Sequence, residues 1–391
     1  MIAHTTASLM PHPQSSRNFT PGTIAWRMRS PASVCYIFSM AVPKAFASTR
    51  MRALDEAIRA IPASWFKPAA LVYWTDLTVS AAVGWTLFLA AVRTHGWTRA
   101  VALALATAAL YRAVLFIHEI THLTARDLPL FKFAWNAFVG VPLLVPSFLY
   151  EGVHTDHHRQ RCYGTVADPE YLPYGRQKPA FIVLSAVLSL FAPLAFAIRF
   201  GLLAPLGWIV PSASRLIRER ASALVINPRY VRHVPLDRAA RVEEAAACAV
   251  FWTAIGLVLI GRWPIAVLAC WALAMSAASF ANAVRTFAAH RYDNDAGELT
   301  MIEQLLDSCT VGPTRRIAPA VAGVGRVLLA PVGLRYHALH HWIPSLPYHN
   351  LGRAHRRLVD VLTADAPYRT TIADGFTTVL RDLVRRSRTQ S

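Results

Sequence analysis

The chain has 391 residues, of which 54% are hydrophobic and only 16% charged, against about a quarter charged in a soluble domain. With a positive mean hydropathy, that balance excludes a row of soluble domains and points to one integral membrane unit. The net charge of +18 is almost all arginine, lysine occurring only at 44, 67, 132 and 178; dispersed between apolar runs, it reads as anchoring to anionic lipid rather than as a nucleic-acid footprint.

In chain order, residues 1–50 contain no acid, the first being Asp55. They read as a targeting or disordered extension, or as a start placed too far upstream, with Met51 opening the amphipathic stretch MRALDEAIRAI. Residues 51–391 read as a single domain. Two apolar spans, 77–92 and 100–117, form a first hairpin. The apolar stretch 128–149 is interrupted by Pro129, Lys132, Asn136, Pro142 and Pro146, so it reads as re-entrant or interfacial. The stretch 179–211 is broken by Pro193, Arg199, Gly201, Pro205 and Gly207, and an arginine-rich loop follows (Arg215, Arg218, Arg220, Arg229, Arg232, Arg238, Arg241). Spans 245–260 and 264–283 make a second hairpin around Gly261-Arg262-Trp263, and 284–391 holds no further span. Tryptophans 74, 97, 208 and 263 suit the interfacial belt.

Eight of the fifteen histidines fall into three boxes: His118-Glu-Ile-Thr-His122, His154-Thr-Asp-His157-His158 and His337-Ala-Leu-His340-His341. On a helix, positions i, i+3 and i+4 share a face, so each box can aim its rings at one point. If the boxes form one site they lie on one side of the membrane. Each hairpin returns the chain to its starting side, so 179–211 makes no net crossing. The seven-arginine loop then shares the box side, which the positive-inside rule makes cytoplasmic. The expected fold is an all-α integral membrane protein: four transmembrane helices in two hairpins, interfacial or re-entrant helices, and a cytoplasmic helical cap carrying the site.

Imidazole suits iron, copper, zinc and nickel. Eight histidines are too many for one ion and about right for two, and a non-haem iron pair that activates O₂ is the commonest reason to gather them. Five cysteines without a C-x-x-C pair suggest neither a disulfide framework nor an iron–sulfur cluster. Two Fe ions are therefore the expected cofactor.

The order H-x3-H, H-x2-H-H, H-x2-H-H, with a long hydrophobic interval before the third box, resembles the membrane fatty acid desaturases and their di-iron hydroxylase relatives. The resemblance covers roughly residues 70–360 and is closest around Gly333-Leu-Arg-Tyr-His337 to Tyr348-His-Asn. It implies O₂-dependent oxidation of an acyl chain in lipid metabolism, most directly desaturation, with hydroxylation on the same scaffold as the alternative. It also implies a ninth ligand between the second hairpin and box three, a place that His290 occupies. The metal set is then His118, His122, His154, His157, His158, His290, His337, His340 and His341.

HEITH is also a literal H-E-x-x-H, the zinc-protease pattern, but an intramembrane protease would leave boxes two and three without a role. Haem would need isolated axial histidines instead of H-H pairs. Glu119, Asp156 and Asp307 are the candidates to accept a ligand N–H, with Asp168 weighed beside them, but Asp168, before Pro169, reads better as an ordinary surface carboxylate. Arg112 should snorkel or pair with a carboxylate. His349 and His355 read as cap-helix residues, and His4, His12, His95 and His233 as loop residues. The substrate is expected to be an acyl lipid. Electrons should come from an external ferredoxin- or cytochrome-type carrier, because the chain has no His-Pro-Gly-Gly segment and no dinucleotide fingerprint; the arginine-rich face would suit an acidic ferredoxin.

Overall fold

A computed structural model describes residues 54–124, 126–295, 297–314 and 319–389. The extension 1–50 and Met51 lie outside the described residues. Helix α1 (Ala70–Arg93) and helix α2 (Gly96–Val114) form the first hairpin. Twenty-four residues give α1 a length of about 36 Å, enough to cross a bilayer core. The turn is tight because Gly96 takes φ +57°, a conformation that costs glycine nothing. The hairpin packs closely at Gly84, where a Cβ would sit 2.7 Å from the Leu110 side chain.

After a kink at Leu115 the chain continues as α3 (Phe116–His122). The interrupted stretch beyond it breaks into short turns, as its prolines dictate, and α4 (Val153–His158) follows. Next come α5 (Pro179–Ser189), α6 (Ala192–Ile198), a π-helical turn at Arg199–Leu203, α7 (Ala204–Ile209) and α8 (Pro211–Arg220). Helix α9 (Arg238–Leu259) starts where the Asp237 side chain accepts from the Ala240 N–H, and α10 (Ala266–Phe287) completes the second hairpin.

Among the described residues five helices are long and apolar enough to cross a membrane. Four contain, to within two residues at the turn of the second hairpin, the spans read from sequence; the fifth, Ala192–Ile209, is the composite of α6, the π turn and α7. Leu105, Leu259 and Leu273 on these helices are exposed, as suits surfaces facing lipid.

Beyond α10 a further helix spans Pro319–Leu329, and a helical layer lies at the box-bearing ends of the hairpins: α11 (Met301–Asp307), α12 (His337–Trp342), α13 (Tyr348–Val361) and α14 (Gly375–Thr389). The all-α expectation needs a small correction. Strands β1 (Thr310–Val311) and β2 (Ile372–Ala373) pair in parallel, tying the segment before α12 to the one before α14. Layer and hairpins share one core, in which Tyr73, Phe116 and Phe131 pack edge to face. Arg112 has a partner: it makes a two-pronged ion pair with Asp76 on α1 (2.7 and 2.5 Å), and the Tyr348 hydroxyl donates to the same carboxylate. Cys162, Cys248, Cys270 and Cys309 are free.

Candidate metal centre

Each box is carried by its own short helix, and the local sequence sets the start of two of them. Gly152 opens α4 at φ +75° and Gly333 precedes α12 at φ +69°. A Cβ at either would come within 2.7 Å of Val234 or Leu351. His290 arrives differently, in extended chain just past α10, bridged to Ser308, with the Arg291 N–H on the Asp307 carbonyl and the Cys309 N–H on the Ala289 carbonyl.

The nine histidines converge in two adjacent groups, within each of which the nearest nitrogens all lie inside 4.8 Å. The first comprises His118, His122, His154, His158 and His340; the second comprises His157, His290, His337 and His341. Box one feeds the first group alone, whereas α4 and α12 each divide their histidines between the two, because i and i+4 point together while i+3 is turned aside. His158 and His341 stack across the divide with centroids 4.5 Å apart.

The donor set fits a pair of metal ions. Adjacent Nε2 atoms lie 3.0 Å apart for His154–His158 and His158–His340, and 2.9, 3.0 and 3.2 Å apart for His290–His337, His337–His341 and His157–His341. Metal–nitrogen bonds of about 2.1 Å at right angles put neighbouring nitrogens about 3.0 Å apart. Both ring nitrogens of His118, and Nε2 of His122, are buried without a hydrogen-bond partner, a cost of about 1–3 kcal/mol each unless something binds them. Burial and mutual repulsion hold His154, His158, His290, His337, His340 and His341 well below the usual histidine range. The rings are therefore neutral, the form that ligates metal. Burial pulls His157 down as well, but the Asp168 carboxylate outweighs it and raises that ring.

The carboxylates around the rings differ from those expected. Asp168, read as a surface residue, is fully buried and accepts from His157 Nδ1 at 2.9 Å, while also taking the Gly164 and Glu170 N–H groups. Glu170, not anticipated, accepts from His154 Nδ1 at 2.6 Å and from the Tyr150 hydroxyl at 2.8 Å. Asp307 reaches His290 through a relay: Tyr163 accepts from His290 Nδ1 and donates to Asp307, both at 2.7 Å. Such contacts fix the tautomer and turn Nε2 toward the centre.

Two candidates are placed elsewhere. Asp156 accepts from the Tyr230 hydroxyl at 2.7 Å and pairs with Arg159, touching no histidine. It lies about 200° around the helix from His154. Glu119 is 3.7 Å from His118 Nδ1, and its Oε2 is taken by the Tyr73 hydroxyl at 2.5 Å and the Tyr348 N–H at 3.2 Å. It clasps the hairpin to α13. His349 and His355 are engaged far from the centre, with the Ala69 N–H and the Tyr368 hydroxyl.

A cavity of about 450 Å³ opens onto the first group. His118, Tyr150 and Glu170 form its inner end, and Leu188, Phe196, Met275 and Ala278 carry it away between α5, α6 and α10.

The profile of the family described as "Fatty acid desaturase" matches residues 94–372, more than half of the chain. The chain belongs to the fatty acid desaturase family. All three boxes and His290 fall inside the matched region. This member is also 44% identical over 324 residues to the ceramide hydroxylase of Caulobacter vibrioides (strain NA1000 / CB15N), covering 82% of this chain and 90% of that protein. Family membership overrules the zinc-protease alternative.

Proposed function

We propose that this desaturase-family member is a membrane-bound di-iron hydroxylase acting on ceramide, an N-acyl sphingoid lipid. The observation that carries the reading is 44% identity to a ceramide hydroxylase along nearly its whole length. The two histidine groups, the first reached by a largely apolar cavity at His118, support it. Desaturation, the first expectation from sequence, shares the initial hydrogen abstraction and is the second reading. The reaction balances as one C–H bond, O₂, two electrons and two protons giving C–OH and water.

His118, His122, His154, His158 and His340 would hold one iron, and His157, His290, His337 and His341 the other. The pair supplies O₂ activation for one-electron chemistry. The protein's own share is preorganisation. Asp168, Glu170 and Tyr163 hold the Nδ1 protons, the buried layer excludes water, and the cavity walls present one carbon to the centre.

Four crossings with a cytoplasmic centre remain our reading of the topology. Both ends of the 179–223 region attach to the histidine-bearing layer, through Gly175 N–H on the Tyr292 carbonyl and through Leu224 and Ile226 N–H groups on the Leu149 and Pro169 carbonyls. Between them Arg199 bonds the Ala221 carbonyl, Ser222 and Glu244, which supports a segment that dips and returns. Electrons would arrive from an acidic external carrier at the arginine-rich face.

The test is purified enzyme with ceramide, an electron donor and ¹⁸O₂, read by product mass. One labelled oxygen added to the lipid is the expected result. Loss of two hydrogens without oxygen would establish the desaturase reading instead.

A further inference from the structure

Helix α10 lines the cavity with a polarity gradient. Its lining residues run from Met275, Ala278 and Ser279 to Asn282, Ala283, Arg285, Thr286 and Phe287, so the amide and the charge both lie in the half nearer His290. From Met275 to Arg285 the helix rises about 15 Å. The half-buried Arg285 guanidinium bonds the Asn282 side-chain carbonyl at 3.0 and 3.2 Å and the Thr286 hydroxyl at 3.0 Å. No ion pair with a carboxylate joins it among the described residues. A cation at this depth without an acidic partner is costly unless something else engages it, and here it faces the same cavity as His118 and Glu170.

We infer that Arg285, with Asn282, is the anchor for the polar head of the substrate, and that this anchoring confines oxidation to a carbon within a few bonds of the amide. The inference rests on the ceramide reading and adds to it the residue and the position. A guanidinium donates to the amide carbonyl and hydroxyl oxygens of a ceramide. Glu170 lines the same cavity; its carboxylate can accept from a lipid hydroxyl and offsets the pull of Arg285 on a free carboxylate, so a neutral head is favoured over a free fatty acid. Because the polar end of the cavity is the histidine end, the head lies beside the centre and the tail runs toward Met275. A mid-chain site would require the opposite order.

The test compares wild type with Arg285→Gln, Arg285→Lys and Asn282→Ala as iron-loaded protein in detergent. Binding of radiolabelled N-palmitoyl-dihydrosphingosine is measured directly, with palmitate as competitor, followed by the position of product oxidation. Expected are at least tenfold weaker ceramide binding for Arg285→Gln at unchanged iron content, partial rescue by lysine, a KM rise exceeding the fall in kcat, and scattered product positions. Should Arg285→Gln lose iron, Asn282→Ala carries the same comparison. Equal binding across the variants, stronger competition by palmitate, or a single mid-chain product would overturn the inference. Ceramide bound through Arg285 but never oxidised would sink the hydroxylase reading and leave the anchor standing.

Discussion

His157 and Asp168 stand eleven residues apart in the chain, yet both carboxylate oxygens lie within 3.0 Å of the same ring nitrogen. Asp168 is held in turn by two backbone N–H groups, so ring and carboxylate are fixed together. Removing it with Asp168→Ala should release the His157 ring. We expect iron to fall from two toward one per chain and activity to drop about 10–100-fold. Elemental analysis of purified variant and wild type checks this, and full iron with full activity would refute it.

His290 shows the same logic from the other group. His290→Ala removes a nitrogen that lies 2.9 Å from His337 Nε2 and should cost the second ion selectively. His233→Ala, which lies outside both groups, should leave metal content unchanged. Iron-to-protein ratios separate the two.

Glu119 gives a prediction of the opposite kind. Glu119→Gln disturbs the contacts from Tyr73 and Tyr348 without touching a group nitrogen. Thermal stability in detergent should fall by about 1–3 kcal/mol while iron content holds. Complete loss of activity at unchanged stability would revive a catalytic role for this glutamate.

The Asp76–Arg112 pair is partly open to solvent, its side chains 16% and 31% exposed. Arg112→Ala should therefore destabilise by about 1–2 kcal/mol, less than a fully buried pair would lose. The double variant Asp76→Ala/Arg112→Ala should cost less than the sum of the two single changes. Strict additivity in a double-mutant cycle would deny the coupling.

Electron delivery is testable by salt. If an acidic carrier docks on the arginine-rich face, donor-dependent turnover should fall as ionic strength rises past about 0.1 M, where the Debye length shrinks to about 10 Å. Turnover with a small neutral reductant should not change.

The clustering of the box histidines was legible in the chain because box spacing is local. Histidines four residues apart on a helix point together wherever that helix ends up, with one at i+3 close beside them, and apolar runs of span length declare their surroundings. His290, outside any box, was reached through family resemblance and not through periodicity. What only the tertiary structure decided was which rings share a group and which carboxylates serve them. Asp156 and Glu119 sit beside histidines in sequence, but the helix turns them toward Tyr230 and Tyr348. Asp168 and Glu170 looked like a polar loop before and after a proline, until that loop folded back beneath α4. The same holds for Arg112 and Arg285, whose positions the sequence shows but whose partners it cannot. A local pattern determines direction along one helix, whereas hydrogen-bond partners depend on distances between segments that only packing sets.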